Sequence, residues 1–183
     1  MANRPRRARR VQLSTPGSSE KMMQKASESK ADHVFLDLED AVAPLEKEAA
    51  RGKVVNAIKN QDWGDTVLCV RANAWDTQWT YADVTYVVEH ASERLDEIML
   101  PKVQSAAEVV ALDLLLTQIE KTMGFEVGRI GIEAQIENAL GLTNVNAIAA
   151  ASPRVETIIF GPADFMASIN MKSLVVGEQP PGY

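Results

Sequence analysis

Three carboxylates crowd one short stretch of this sequence. Val34-Phe35-Leu36-Asp37-Leu38-Glu39-Asp40-Ala41-Val42 runs an apolar segment directly into Asp37, Glu39 and Asp40. Apolar runs of this length read as strands buried on both faces. Acids where such a strand ends are costly unless a cation, a proton or a substrate balances them. The arrangement recurs along the chain. Arg71 and Asn73 close the run Val67 to Val70, and Lys102 follows Glu97 to Leu100. Glu137 follows Arg129 to Ile136, and Asp164 follows Val155 to Phe160. Taken singly, each is as well explained by a helix cap or a solvated loop charge. Together, several carboxylates in a chain with 2 histidines and 1 cysteine suit a hard cation, Mg²⁺ or Mn²⁺. Arg71 and Lys102 then supply positive charge for an anionic substrate or a developing enolate.

Regular elements must position these residues. Val11 to Thr15, bounded by Pro16-Gly17, predicts a short strand and turn. Ser18 or Ser19 caps a helix through about Lys30. A strand over Asp32 to Leu38 precedes a charged helix, Glu46 to Ile58. Thr66 to Arg71 is a third strand, followed by a helix over Tyr81 to Ala91. After the strand Glu97 to Leu100, a long amphipathic helix runs from Ser105 to Met123. It carries Val109, Leu112, Leu116 and Ile119 on one face. A fifth strand, Arg129 to Ile136, precedes a helix around Leu142 to Ala151. Val155 to Phe160 is the sixth, and Gly161 to Asp164 turns into another helical start. Six βα units without a hairpin signal predict a parallel sheet with right-handed crossovers.

Such a sheet either stays open and doubly wound or closes as a (β/α)₈ barrel. No Gly-x-Gly-x-x-Gly follows the first strand, and no Walker motif is present. In a barrel, all the polar strand ends lie on the face where catalytic residues gather. Glu133 and Gln135 share a pleat face with Glu137. They either line the barrel or contact neighbouring helices. Asp37 shares Glu39's face and is read as an anchor of the turn.

The 183 residues, 46% hydrophobic and 24% charged, suit one soluble globular domain. A net charge of −6 argues against nucleic-acid binding. The single cysteine, Cys69, excludes an internal disulfide and fits a reducing compartment. No run approaches the roughly 18 apolar residues of a membrane span, and no apolar signal-peptide core is present. A cytoplasmic protein without membrane or nucleic-acid partners is expected. Arg4, Arg6, Arg7, Arg9 and Arg10 form a basic tail over 1–10, ahead of the domain at 11–183. That tail is either solvated or holds a phosphorylated ligand. A barrel needs about 250 residues, with a lower bound near 200. The chain stops at Gly177 to Tyr183 in what reads as an unfinished loop, so a longer native protein is expected, with this chain supplying its first six βα units.

These residues resemble the citrate lyase β-subunit/malyl-CoA lyase family of CoA-ester lyases, within the HpcH/HpaI aldolase superfamily. The resemblance is carried by Arg10 with Ser14-Thr15-Pro16-Gly17-Ser18-Ser19-Glu20-Lys21, by Leu36 to Val42, and by Val70-Arg71-Ala72-Asn73. It continues through Leu100-Pro101-Lys102-Val103, Ile136 to Leu142 and Phe160 to Phe165. The motifs occur in family order over nearly the whole chain. The resemblance implies a TIM barrel in which Glu137 and Asp164 bind Mg²⁺ and Arg71 contacts a substrate carboxylate or thioester oxygen. It places Glu39 and Asp40 near the metal water and the reacting hydroxyl. Arg10, Lys21 and Lys102 would face the CoA phosphates or the site mouth. The implied reaction is cleavage of a 3-hydroxy acyl-CoA, of the malyl-CoA or citramalyl-CoA type, to an acyl-CoA and glyoxylate or pyruvate. A homo-oligomer, trimer or hexamer, is expected. Two alternatives stand beside it. One is a class II aldolase on a free 2-oxo acid, which resembles this stretch with a histidine where Asp40 stands. The other is a non-catalytic acyl-CoA- or carrier-binding homologue.

Overall fold

In the computed structural model, which describes residues 7–177 apart from positions 92 and 173, six short strands pair in the order of the sequence. They are β1 (Gln12–Pro16), β2 (His33–Asp37), β3 (Val67–Arg71), β4 (Glu97–Leu100), β5 (Gly131–Ile136) and β6 (Val155–Phe160). Every adjacent pair is parallel. The intervening helices are α1 (Glu20–Ser27), α2 (Lys47–Asn60), α3 (Thr80–Ala91), α4 (Ala106–Met123), α5 (Ala139–Thr143) and α6 (Val145–Ala149); α7 (Pro162–Ser168) follows β6. A doubly wound sheet reverses its strand order at a switch point, and this one does not.

The sheet is curled. Neighbouring strands are spaced about 4.8 Å apart, so β1 and β5 would lie roughly 19 Å apart in a flat sheet. Gln12 Nε2 of β1 nevertheless donates to Glu133 Oε2 of β5 at 2.8 Å. The six strands form a half-barrel wall whose inner-facing side chains meet across its hollow.

Strand alternation divides the two faces. Leu36, Val70, Ile98 and Ile132 point outward into one apolar cluster with Val54, Val88, Leu112 and Leu116 of the covering helices. The α4 stripe read from the sequence, Val109, Leu112, Leu116 and Ile119, is buried in that cluster. The inner face is polar and equally buried: His33, Asp37, Glu97 and Glu133 are at most 1% exposed. Glu133 and Gln135 therefore line the hollow, where Gln12 donates to Glu133 and Arg71 to Gln135. Among the described residues, no helix is long and apolar enough to cross a membrane.

The helix expected over Leu142 to Ala151 is two short helices that meet at Asn144. Asn138 caps the first by accepting the Gly141 N–H at 2.8 Å. A Cβ at Gly141 would lie 2.2 Å from the Val103 carbonyl oxygen, so only glycine lets this helix start against the loop after β4.

Arg154 enters β6 from below and ties it to α4. It is 2% exposed, donates to both Glu120 oxygens at 2.8 and 2.6 Å, and donates to Asp113, Thr117 and the Ile130 carbonyl. Removing one partner of such a buried pair leaves an uncompensated charge and costs about 3–5 kcal/mol. Arg154→Met is expected to lower the unfolding free energy by about that amount, measured by urea denaturation. The double variant Arg154→Met/Glu120→Gln should recover part of it. An Arg154→Met protein as stable as the parent would contradict this role.

Candidate functional site

The C-terminal strand ends converge. β2 and β3 pair so that Asp37 faces Arg71. Arg71 Nε and Nη2 donate to the two Asp37 oxygens at 2.8 and 2.6 Å, a bidentate clamp. Asp37 also accepts the backbone N–H groups of Glu39 and Ala41 at 2.8 and 3.0 Å. Burial would raise the Asp37 pKa, but the Arg71 guanidinium and these backbone donors outweigh it and hold the carboxyl below its ordinary range. Asp37 does more than anchor a turn, because it aims the guanidinium. Arg71 Nη1 then lies 3.3 Å from Glu39 Oε2 and 3.4 Å from Gln135 Oε1.

Lys102 is the second cation. Its backbone is left-handed (φ 54°), uncommon outside glycine, which turns the chain sharply after β4. Its N–H donates to Glu137 Oε2 at 3.0 Å. Its ammonium reaches Glu39 Oε1 at 2.6 Å, Asp40 Oδ1 at 3.3 Å and Asp164 Oδ2 at 3.3 Å. Thus Glu39, Asp40, Arg71, Lys102, Glu137 and Asp164, predicted separately from five strand ends, lie in one cluster. Burial raises the Glu39 pKa, opposed by Lys102 and Arg71. Burial, with the Glu39 and Asp164 charges added, pushes Glu137 up to about 7 despite the Lys102 N–H.

Glu137, Asp164 and Lys102 share a cavity of about 590 Å³ with Trp75, Asn138 and Ser168. Gly161 makes room there: a Cβ would fall 2.4 Å from Glu137 Oε1. Asp164 Oδ2 and Glu39 Oε2 are buried oxygens that make no hydrogen bond and are met only by the charges of Lys102 and Arg71, each at 3.3 Å. Three carboxylates around the Lys102 ammonium, with Glu137 on the backbone N–H of the same residue, make an oxygen-rich donor set that fits a small hard cation. A cavity of similar size, about 610 Å³, lies elsewhere among Trp63, His90 and Phe125, and none of the cluster residues lines it.

Two predicted contacts lie apart from the cluster. Arg10 precedes β1 and pairs with Asp32, which precedes β2, at 2.5 Å. That is the opposite end of the strands. Lys21 stands exposed in the first turn of α1, on the cluster's end of the wall. Arg7 and Arg9 do not extend into solvent but pair with Glu156 at the lower end of the wall. Arg4 and Arg6 lie outside the described residues.

One supporting residue had no sequence signal. Lys47, in a helix read only as charged, is 6% exposed. Its ammonium donates to the carbonyls of Leu38 and Glu39, both at 2.9 Å, and to Asn73 Oδ1 at 2.6 Å. Asn73 in turn donates to Asp83 Oδ2 at 2.6 Å. This network fixes the loop that presents Glu39 and Asp40.

The sequence profile of the HpcH/HpaI aldolase/citrate lyase family matches residues 10–178. An L-malyl-CoA/beta-methylmalyl-CoA lyase of Rhodobacter capsulatus is 45% identical over 98% of this chain and 56% of its own length. A malyl-CoA/beta-methylmalyl-CoA/citramalyl-CoA lyase of Chloroflexus aurantiacus is 36% identical over 98% of this chain and 52% of its own. The chain thus spans about half the length of these curated relatives. Among solved structures, the Mycobacterium tuberculosis protein CitE, in complex with magnesium and acetoacetate, superposes with a TM-score of 0.69 and 28% identity. That match covers 90% of this chain and 60% of the other. Haloferax volcanii malate synthase superposes at 0.80 with 18% identity over 96% and 56%, a likeness of fold.

The Glu137 environment has a measurable consequence. Its pKa is raised in the folded chain, so its contribution to stability is fully present below about pH 4.5 and is lost as pH rises through about 7. Glu133 is raised in the same window. Urea unfolding of Glu137→Gln between pH 4.5 and 8 should therefore show a shallower decline than the parent, not a flat profile. Parallel profiles would contradict the assignment.

Proposed function

This chain belongs to the HpcH/HpaI aldolase/citrate lyase family, and from that premise we propose that it carries the catalytic face of a Mg²⁺-dependent carbon–carbon lyase acting on a 3-hydroxy acyl-CoA. The substrate is of the malyl-CoA or citramalyl-CoA type, and the products are acetyl-CoA or another acyl-CoA and a 2-oxo acid. The six strands are the first part of a (β/α)₈ barrel. The observation that carries the reading is the convergence of Glu137 and Asp164 on one cavity, beside an arginine aimed by Asp37.

Glu137 and Asp164 would hold the cation, with Mn²⁺ as the alternative ion. When bound, it supplies Lewis-acid charge to the oxygens of the 2-oxo acid and of the matching hydroxy-carboxylate. The remaining steps belong to side chains. A carboxylate of the Glu39–Asp40 pair takes the substrate hydroxyl proton, with Asp40 the more exposed of the two. The carbon–carbon bond then breaks, its electron pair passing to the thioester carbon skeleton as an enolate. Arg71, already oriented by two hydrogen bonds, stabilises the enolate oxygen without reorganising during the reaction. Protonation of the enolate carbon completes the acyl-CoA. Lys102 keeps Glu39 and Asp40 apart from each other's charge and faces the site mouth, where a CoA phosphate would approach. Lys21 is available to the same anion from α1.

The aldolase alternative calls for a histidine at the Asp40 position. His33 lies at the lower end of β2 and His90 near the end of α3, and neither reaches the cluster. This favours the CoA-ester reading.

Malyl-CoA or citramalyl-CoA with Mg²⁺ should release a 2-oxo acid that phenylhydrazine traps. EDTA, or Asp164→Asn, should abolish the release, and full activity in either case would sink the metal assignment. Arg71→Lys keeps the charge but loses the bidentate clamp. It should lower turnover by about 10²–10³-fold, and a change under threefold would remove Arg71 from the reacting centre.

A further inference from the structure

The inner face of the wall carries a second group of ligating side chains, at the end away from the proposed active site. His33, Cys69, Glu97 and Glu133 come from β2, β3, β4 and β5, one from each, and all are fully buried or nearly so. His33 Nε2 lies 3.4 Å from Glu97 Oε2 and 3.9 Å from Glu133 Oε2. Cys69 Sγ lies 3.7 Å from Glu133 Oε2. One donor atom each from His33, Cys69 and Glu133 fits within 4.8 Å of the others. In a tetrahedral zinc site with metal–sulfur bonds of about 2.3 Å and metal–nitrogen or –oxygen bonds of about 2.0 Å, neighbouring donors are about 3.3–3.5 Å apart. The three separations of 3.4, 3.7 and 3.9 Å lie within about half an ångström of that spacing, and the widest pair within the group closes from at most 4.8 Å.

The hydrogen bonds within the cluster leave it incomplete. Arg9 reaches Glu97 Oε1 and Glu156, and Gln12 donates to Glu133 Oε2 at 2.8 Å. Glu97 Oε2 and Glu133 Oε1 remain buried without a hydrogen bond, on residues with 0% exposure. Unsatisfied buried carboxylate oxygens are expensive, and a bound cation removes the cost.

The geometry points to a binding site for a borderline-soft divalent cation, of the Zn²⁺ class, formed by His33, Cys69, Glu133 and Glu97. Imidazole nitrogen, thiolate sulfur and carboxylate oxygen on one ion select against Mg²⁺ and for Zn²⁺ or Co²⁺. The site is independent of the proposed lyase reaction and uses none of its residues. Four rigid adjacent strands hold the donors in place before binding. Burial pushes the Cys69 thiol well up and Glu133 to about 7, with the Glu97 charge adding to both. Burial and the Arg9 charge keep His33 neutral, down to about 4. Binding therefore displaces the thiol proton and a carboxyl proton and forms metal–sulfur and metal–oxygen bonds in their place. Coordination through Nε2 leaves a proton on Nδ1, 3.3 Å from the Gln12 amide.

The test uses the protein purified without chelator, then stripped and titrated with Co²⁺. One equivalent should produce a thiolate-to-cobalt charge-transfer band and the visible bands of a tetrahedral ion. Cys69→Ser should abolish the charge-transfer band, and His33→Gln should weaken Co²⁺ binding at least tenfold. Asp164→Asn should leave both spectra unchanged, which separates this site from the proposed Mg²⁺ site. Zn²⁺ should raise the melting temperature of the parent but not of Cys69→Ser. No charge-transfer band in the parent, a band that survives Cys69→Ser, or equal zinc stabilisation of both proteins would each overturn the proposal. Should His33→Gln fail to fold, Cys69→Ser decides alone, since it exchanges a single atom.

Discussion

Asp37 and Arg71 face each other on adjacent strands, and the upper half of the wall depends on that pair. Inward-facing carboxylates are tolerable in a buried hollow only if positive charge and backbone donors meet them. Arg71 supplies the charge at the centre. It is clamped by Asp37 on one side and lies over the Phe35 ring, 5.2 Å from its centroid. With both Asp37 oxygens committed, one face of the guanidinium is left directed toward Glu39 and Gln135. An arginine held this way is a preorganised electrostatic group, which is what a developing enolate oxygen requires.

The loops above the strands inherit their rigidity from groups outside the site. Lys47 draws together the carbonyls of Leu38 and Glu39, and Asn73 and Asp83 carry that tether to α3. Burial depresses the Lys47 pKa, partly offset by the Asp83 and Glu39 charges. The ammonium also lies 5.1 Å from the Trp79 ring centroid, which contributes a cation–π contact in a poorly solvated place. The left-handed turn at Lys102 does comparable work after β4, because it aims an N–H at Glu137 while the side chain spans three carboxylates.

The same pleat face bears different chemistry at its two ends. Toward the C-terminal ends of the strands the donors are carboxylate oxygens, grouped around Lys102. Toward the N-terminal ends, imidazole, thiol and carboxylate meet beneath Gln12 and Arg9. The fold accounts for both, since alternation sends every second residue of each strand into the hollow and curling brings distant strands within side-chain reach. The upper set includes loop residues and opens on a cavity. Family membership and the half-length match to lyases make that upper set the proposed reaction centre.

Six βα units, the buried face of α4 and the polar residue closing each of five strands are all legible in the sequence, because they follow from local periodicity and turn chemistry. Glu39, Asp40, Arg71, Lys102, Glu137 and Asp164 are recognisable for the same reason: each sits at a strand end. The assignment of partners is a different matter. Asp37 is readable as a turn anchor, and it is one, but the register of β2 on β3 adds Arg71 as its partner. Arg10 belongs to a family-like motif, yet it precedes its strand and so lands at the far end beside Asp32. Lys47 carries no local signal, and periodicity placed Glu133 on a face without naming His33 or Cys69 as its neighbours, because these contacts join residues 8 and 64 positions apart. Local sequence determined which residues stop each strand and which faces are apolar. Register, direction of pairing and curvature, which depend on the whole wall at once, decided which charges meet.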